Sequence, residues 1–272
     1  MEFRTCCHPT QFSAVDLDLM PRTHDAVKNL KTANGRSAPE QQAPTNRFKA
    51  LALSPQAISA IKWLALLLML VDHTNKYVLA ESHPWMYAMG RSCAPLFAVV
   101  LGYNLASRDL LANGGYLRLV QRLALAGLLA SVPFVVLNKL PGGWWPLNIM
   151  FTLLVAVAAA WLLEIRKPLA TVTACLVIAW GGALCEFWWP AVGLVLCVWA
   201  YQRQPSALMA FASIVCLALF WFVNGNLYAF AAVPLVWFIH RFWTWELPRM
   251  KWLFYAFYPA HLAAFWLYLQ LR

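Results

Sequence analysis

The stretch Ile58–Leu79, ISAIKWLALLLMLVDHTNKYVL, combines a long apolar run with ionisable side chains. It is long enough for a transmembrane helix, which needs about 20 residues. An ionisable group at the centre of such a helix costs about 2.5–3.5 kcal/mol on insertion scales, and it usually faces a bundle interior or a watery cavity. We therefore expect Lys62 and His73 to face inward.

The spacing of Lys62 and His73 places both on one face of the helix. They are about 11 residues apart, which at about 100° per residue returns to the same face, about 16 Å further along the axis. Ala65, Leu66 and Met69 lie on the stripe between them. A cation at one level of the membrane and a titratable base at another predict a functional site that extends along the membrane normal.

The composition indicates an all-α, polytopic membrane protein. The chain is 62% hydrophobic and 12% charged, whereas soluble domains are about 45–50% apolar and about 25% charged. Its 15 tryptophans fit the aromatic belts of membrane interfaces. The net charge of +10 is better explained by basic cytoplasmic loops than by a nucleic-acid partner. The cysteines lack metal-site spacing, and we predict neither a metal nor a disulfide framework.

Two regions follow from the distribution of apolar residues. Residues 1–55 are polar and predict a disordered cytoplasmic tail, and residues 56–272 form the transmembrane domain. About nine spans are predicted, at Ile58–Leu79, Trp85–Ala106, Leu117–Leu137, Leu147–Leu163, Leu169–Leu184, Phe187–Tyr201, Ala207–Val223, Leu227–Phe242 and Trp252–Leu271.

Loop charges predict the orientation. The odd loops carry only Lys76 and Lys139, whereas the even loops carry Arg108, Arg118, Arg122, Arg166, Lys167, Arg203, Arg241, Arg249 and Lys251. The positive-inside rule then places the even loops and the N-terminus in the cytoplasm. Lys62 lies near the cytoplasmic leaflet and His73 in the outer half.

Asp72 and His73 are the first candidates for chemistry. His73 has the properties of a general base, although a solvated helix-end pair is the alternative. Neighbouring residues on a helix point about 100° apart, so we expect Asp72 to pair with a cation on another helix, with Arg91 as the candidate. His261 lies in the last span, two residues after Pro259, which removes a backbone hydrogen bond.

Arg118 and Arg122 form an i, i+4 pair at the cytoplasmic start of the third span. They either anchor the helix at headgroups or form a fork for phosphate oxygens. Arg91, Asn148 and Glu186 lie towards the outer side, where they line a substrate entrance or end helices. The sequence contains no phosphate-binding glycine loop, nucleophile elbow or paired-carboxylate pattern.

Several short motifs follow one another from about Leu53 to the end of the chain. They are Lys62-Trp63-Leu64-Ala65 with Asp72-His73, Gly90-Arg91 with Pro95-Leu96-Phe97, Gly102 with Tyr116, Arg118 and Arg122-Leu123, Asn148-Ile149 with Phe151-Thr152-Leu153, and the closing Phe254–Leu262. In this order they resemble the TraX family of conjugation proteins. The sequence departs from the pattern of that family at Cys185-Glu186-Phe187-Trp188 and at Ala260.

The resemblance implies an acetyltransferase of the bacterial inner membrane that acetylates the N-terminus of a conjugative pilin subunit. Such proteins are similar to membrane acyltransferases that modify sugars. Cytoplasmic acetyl-CoA is then the acyl donor, with its phosphates on Arg118, Arg122 and Lys62. His73 acts as base or transient acetyl acceptor, and His261 relays the proton.

Two other functions stay open from the sequence. A proton-coupled transporter would use Asp72, His73 and His261 as a relay, although we find no internal repeat. A non-catalytic assembly factor for pilus subunits would leave the intramembrane ionisable residues dispensable.

Overall fold

The described part of the chain is a bundle of α-helices. The computed structural model describes residues 48–140, 143–248, 250 and 252–272, and within them the extended structure is one isolated β-bridge between Leu147 and Cys185. The helices are α1 (Pro55–Tyr77), α2 (Pro84–Gly90), α3 (Cys93–Leu105), α4 (Gly115–Asn138), α5 (Ile149–Ile165), α6 (Pro168–Leu184), α7 (Trp188–Arg203), α8 (Ala207–Leu219), α9 (Trp221–Asn224), α10 (Ala232–Phe242) and α11 (Leu253–Leu271).

Each predicted apolar segment coincides with helical structure, but three of them are interrupted. The second is divided at Arg91 and Ser92 into α2 and α3, so the prediction of one continuous helix there was wrong. The seventh is divided at Phe220, and the eighth opens with a 3₁₀ turn at Tyr228–Ala231. The predicted tail falls almost wholly on residues 1–47, which lie outside the described residues.

Three helical segments are long and apolar enough to cross a membrane: Pro55–Tyr77, Gly115–Asn138 and Ala207–Asn224. The outward surfaces of these segments and of the shorter helices are apolar, as expected of helices in a membrane. Leu128 on α4, Leu169 on α6 and Trp180 on α6 expose 64%, 79% and 71% of their surface. Soluble monomers rarely carry large contiguous apolar patches, so the chain is membrane-associated. Nine crossings stay a prediction.

The start of α1 follows directly from the sequence. Ser54 accepts a hydrogen bond from the Ala57 backbone N–H at 3.1 Å, and Pro55 occupies the first helical turn. A serine cap followed by proline satisfies or removes backbone donors that have no partner within the helix. These residues therefore fix where α1 begins.

A polar cluster ties three helices together at the end of the bundle where α4 begins. The Glu164 carboxylate on α5 accepts a hydrogen bond from the Tyr116 hydroxyl at 2.5 Å and pairs with Arg203 of α7 at 2.5 Å. Arg203 also donates to the Ser107 carbonyl oxygen at 3.3 Å. The second, fourth and sixth loops, which are predicted to share the cytoplasmic side, thus meet at one end.

Candidate functional site

His73 of α1 and His261 of α11 meet through their imidazole rings. The two nitrogens His73 Nδ1 and His261 Nε2 are 2.7 Å apart. The rings are within 7° of parallel, with centroids 4.9 Å apart. That separation is close to the nitrogen–nitrogen distance plus one ring radius on each side, so the rings lie edge to edge in nearly one plane. This is the geometry of a direct hydrogen bond, not of stacking.

The hydrogen bonds of the pair define which histidine donates and which accepts. His261 Nδ1 lies 2.8 Å from the Phe257 carbonyl oxygen, which can only accept, so Nδ1 carries the proton. In the neutral ring Nε2 is then an acceptor, and His73 Nδ1 must donate to it. His73 Nε2 therefore keeps its lone pair, and no described residue is hydrogen-bonded to it.

Aromatic side chains surround the two histidines. The Phe257 ring lies 5.0 Å from that of His261, and the Phe265 ring is edge-on to both histidines. Tyr77 and Tyr258 are tilted against His73 and His261, with ring centroids 5.5 Å apart in each case. This packing limits water around the pair and fixes the planes of the rings.

Asp72 pairs with Arg91, as the helix geometry predicted. Arg91 Nη2 lies 2.5 Å from Asp72 Oδ2, and the guanidinium lies over the Tyr87 ring, 4.4 Å from its centroid. The break between α2 and α3 lets Arg91 turn towards α1. Gly90 permits the close approach, because a Cβ there would lie 2.4 Å from Asp72 Cβ.

Lys62 and Arg122 share a cavity of about 420 Å³. Lys62 Nζ lies 5.5 Å from the centroid of the Phe254 ring. The Arg122 guanidinium lies 4.6 Å from the Trp252 ring centroid and 5.9 Å from that of Tyr255. Arg118 is exposed and is outside the lining of this cavity. The arginine pair is thus divided between the cavity and the protein surface.

The cavity does not extend to the histidines. Its lining on α1 ends at Lys62, and Leu66 and Met69, which follow on the same face, are buried. A ligand arm passing from Lys62 to His73, about 16 Å along the helix, would have to displace these side chains.

Asn148 and Glu186 lie in the α4–α5 and α6–α7 connections, which meet at the Leu147–Cys185 bridge. Asn148 is buried, caps α5 through the Met150 N–H at 3.1 Å and donates to the Gly127 carbonyl oxygen at 2.9 Å. Its side chain is thus engaged in joining α4 to α5.

Glu186 is only partly exposed in the connection between α6 and α7. Its backbone N–H donates to the Leu147 carbonyl oxygen at 2.7 Å, and its carbonyl oxygen accepts from Thr152 at 2.5 Å. Burial raises the pKa of its carboxyl group to about 7, against the opposing influence of Lys76 and Arg91. A carboxyl group with this pKa can gain and lose a proton near neutral pH.

Sequence reasoning missed the hydrogen-bonded environment of the site. The Phe257 carbonyl oxygen orients His261, and no residue type marks a backbone group in a sequence. Asn138, which accepts from Lys76 at 2.5 Å and from Tyr77 at 3.2 Å, was also not singled out. Among the described residues, no three His, Cys, Asp or Glu side chains are grouped to hold a metal ion.

The family described as TraX protein matches residues 57–269. The chain belongs to the TraX family. A Protein TraX from Escherichia coli is 30% identical over 169 residues, which cover 61% of this chain and 65% of that protein. Protein TraX of Escherichia coli strain K12 is 29% identical over 171 residues, with the same shares covered. The chain thus spans slightly less than two thirds of these relatives. No solved structure matches it.

The segment matched by the TraX family includes the residues of the site described above, from Lys62 to His261. It begins in the first turns of α1 and ends near the end of α11. Both histidines and the Asp72–Arg91 pair therefore lie in the part of the chain that the family matches.

Proposed function

We propose that this protein is an integral membrane acetyltransferase that transfers an acetyl group from cytoplasmic acetyl-CoA to the N-terminal amine of a conjugative pilin subunit. The observation that carries the proposal is the His73–His261 pair, in which His73 presents a ring nitrogen with a free lone pair. Membership of the TraX family supports the choice of acceptor.

The proton chemistry follows from the polarity of the pair. The acceptor amine must be uncharged to attack the thioester carbonyl carbon. As the carbon–nitrogen bond forms and the carbon–sulfur bond breaks, His73 Nε2 takes the proton that the amine loses. The charge on His73 is stabilised because its Nδ1–H already donates to His261. The proton then passes to the departing thiolate, which leaves as the free thiol of coenzyme A.

Lys62 and Arg122 are the proposed contacts of the acyl donor. Both side chains line the cavity near the start of α1, where they present two cations to phosphate oxygens. Arg118, exposed one helical turn earlier on α4, would meet the donor only outside that cavity.

Transfer requires a rearrangement between the cavity and the histidines. Leu66 and Met69 are buried between them, and the acyl-bearing arm of the donor must reach His73. We propose that the Leu66 and Met69 side chains move aside while α11 stays in place, since α11 supplies both His261, which stabilises the charge on His73, and the Phe254 and Tyr255 walls of the cavity.

The acceptor is proposed to approach from the side of Arg91 and Glu186. Asp72 and Arg91 form an ion pair at the break between α2 and α3, and Glu186 adds a carboxyl group in the connection between α6 and α7. A carboxylate here would attract a protonated amine, which releases its first proton to water before it attacks and its second proton to His73 Nε2.

The test is the intact mass of the cognate pilin from cells with and without this gene. We expect one additional acetyl group with the wild-type protein and none with His73→Ala. The control is His83→Ala, because His83 is an exposed histidine bonded to Ser82. Membrane levels of both variants are measured by immunoblot. An acetylated pilin in cells with normal levels of His73→Ala would exclude the assignment, and a pilin of unchanged mass with wild type would point to another acceptor or to a non-catalytic role.

A further inference from the structure

A second cavity, of about 540 Å³, lies between α3, α7, α8 and α10. Its volume is within the range of about 300–1,000 Å³ found for small-molecule sites. α10 contributes Val233, Val236, Trp237 and His240, which share one helix face at i, i+3, i+4 and i+7. α7 and α8 contribute similar stripes, between Leu194 and Gln202 and between Ala210 and Leu217. The cavity is therefore a groove that runs along the helices.

The polar groups of the groove are gathered at one end. Gln202 lies in the last turn of α7 and His240 in the last turn of α10, and Lys49 precedes α1. Leu194 and Val233 lie about 10–12 Å deeper along their helices. The apolar half of a bilayer leaflet is about 15 Å deep, so the groove has the length and the polarity gradient of one lipid tail below its headgroup.

The Gln202 amide has no acceptor in the described structure. Its Nε2 is shielded from water and forms no hydrogen bond with a described residue, which is unfavourable for a buried donor. The Tyr201 hydroxyl donates to the Lys49 carbonyl oxygen at 2.9 Å, which ties Lys49 to the same end of α7. An oxygen-rich anion between these groups would satisfy the amide and the cation together.

The groove is accessible from the side. Ile214, Val233 and Trp237 expose 52%, 52% and 60% of their surface although they are large apolar residues of the lining. In a membrane-associated chain this opening faces hydrocarbon, through which a lipid could enter laterally.

We propose that this groove binds one membrane phospholipid with an anionic headgroup. The headgroup phosphate contacts Lys49 and His240, and the Gln202 side chain rotates so that its amide donates to the phosphate. One acyl chain lies along the apolar stripes of α7, α8 and α10. An apolar helix of a protein partner would fill the stripes but would leave Lys49 and the Gln202 amide without an acceptor, so the lipid fits the charges of the site better.

The experiment is native mass spectrometry of the full-length protein, purified in detergent and exposed to equal amounts of phosphatidylglycerol and phosphatidylcholine with identical acyl chains. We expect one retained lipid, with phosphatidylglycerol favoured at least tenfold. Val233→Trp should fill the groove and lower retention of both lipids at least tenfold. Lys49→Gln should remove most of the preference for phosphatidylglycerol.

Two matched variants serve as controls. Leu208→Trp places the same large ring on an exposed residue of α8 outside the groove, and Lys167→Gln removes an exposed cation elsewhere. Neither should change retention. Equal retention of the two lipids, or retention that is unchanged in Val233→Trp, would overturn the proposal. A bound peptide or a second copy of the chain that is lost in Val233→Trp would also overturn it. If Val233→Trp does not fold, Lys49→Gln still tests the preference for phosphatidylglycerol.

Discussion

His73 and His261, 188 residues apart in the chain, share a hydrogen bond of 2.7 Å in which His73 is the donor. The direction is imposed by the Phe257 carbonyl oxygen, which takes the other proton of His261. Because a neutral imidazole has one donor and one acceptor, fixing His261 also fixes His73. The basic nitrogen of the pair is therefore His73 Nε2.

This polarity predicts unequal effects of removing the two histidines. His73→Ala should lower the acetylation rate by about 10²–10⁴-fold, the usual contribution of a general base. His261→Ala should cause a smaller loss, because His73 keeps its free nitrogen and loses only its hydrogen-bonded partner. Initial rates at equal membrane levels check the order. A larger loss with His261→Ala would mean that His261 presents the reacting nitrogen.

The Asp72–Arg91 pair predicts coupled effects on stability. Either Asp72→Asn or Arg91→Gln leaves the other side chain, which is mostly buried, without its partner, and each should destabilise the protein by about 1–3 kcal/mol. The double variant should lose less than the sum of the two, because no charge is left unpaired. Thermal unfolding of the four purified proteins measures the coupling, and additive losses would show that the pair contributes nothing.

The division of the arginine pair predicts a difference in donor binding. Arg122→Gln removes a cation that lines the cavity with Lys62 and should raise the KM for acetyl-CoA several-fold with little change in kcat. Arg118→Gln, an equal change one turn away at an exposed residue, should leave the KM nearly unchanged. Equal effects of the two substitutions would contradict a donor site in this cavity.

The raised pKa of the Glu186 carboxyl group predicts that the stability of the protein depends on pH. Its pKa of about 7 is above the usual value of a glutamate, about 4.3, so the folded protein binds the proton more tightly than the unfolded chain. Its contribution to stability is therefore fully present below about pH 4.3 and is lost as pH rises to about 7. Glu186→Gln should flatten the decline in melting temperature over this window, whereas Glu81→Gln, at an exposed glutamate, should not. An unchanged slope with Glu186→Gln would assign the dependence to other groups.

The local pattern of the sequence determined the helical class and the placement of the apolar segments. It also determined the face shared by Lys62 and His73 and the choice of Arg91 as the partner of Asp72. These features depend on the period of the helix and on the fact that a charged side chain in an apolar segment needs a partner of opposite charge. Each can be read from neighbouring residues.

Only the tertiary structure decided which of these residues meet. The hydrogen bond between α1 and α11 depends on the packing of two helices that are distant in the sequence. The helical period of either segment does not indicate which other helix packs against it. The same holds for Arg118 and Arg122, which share a helix face at i, i+4 but differ in what the next helix covers. The tertiary structure likewise places Gly90 against Asp72 at the break between α2 and α3. Helical periodicity is local, whereas the surroundings of a side chain are set by every helix packed around it.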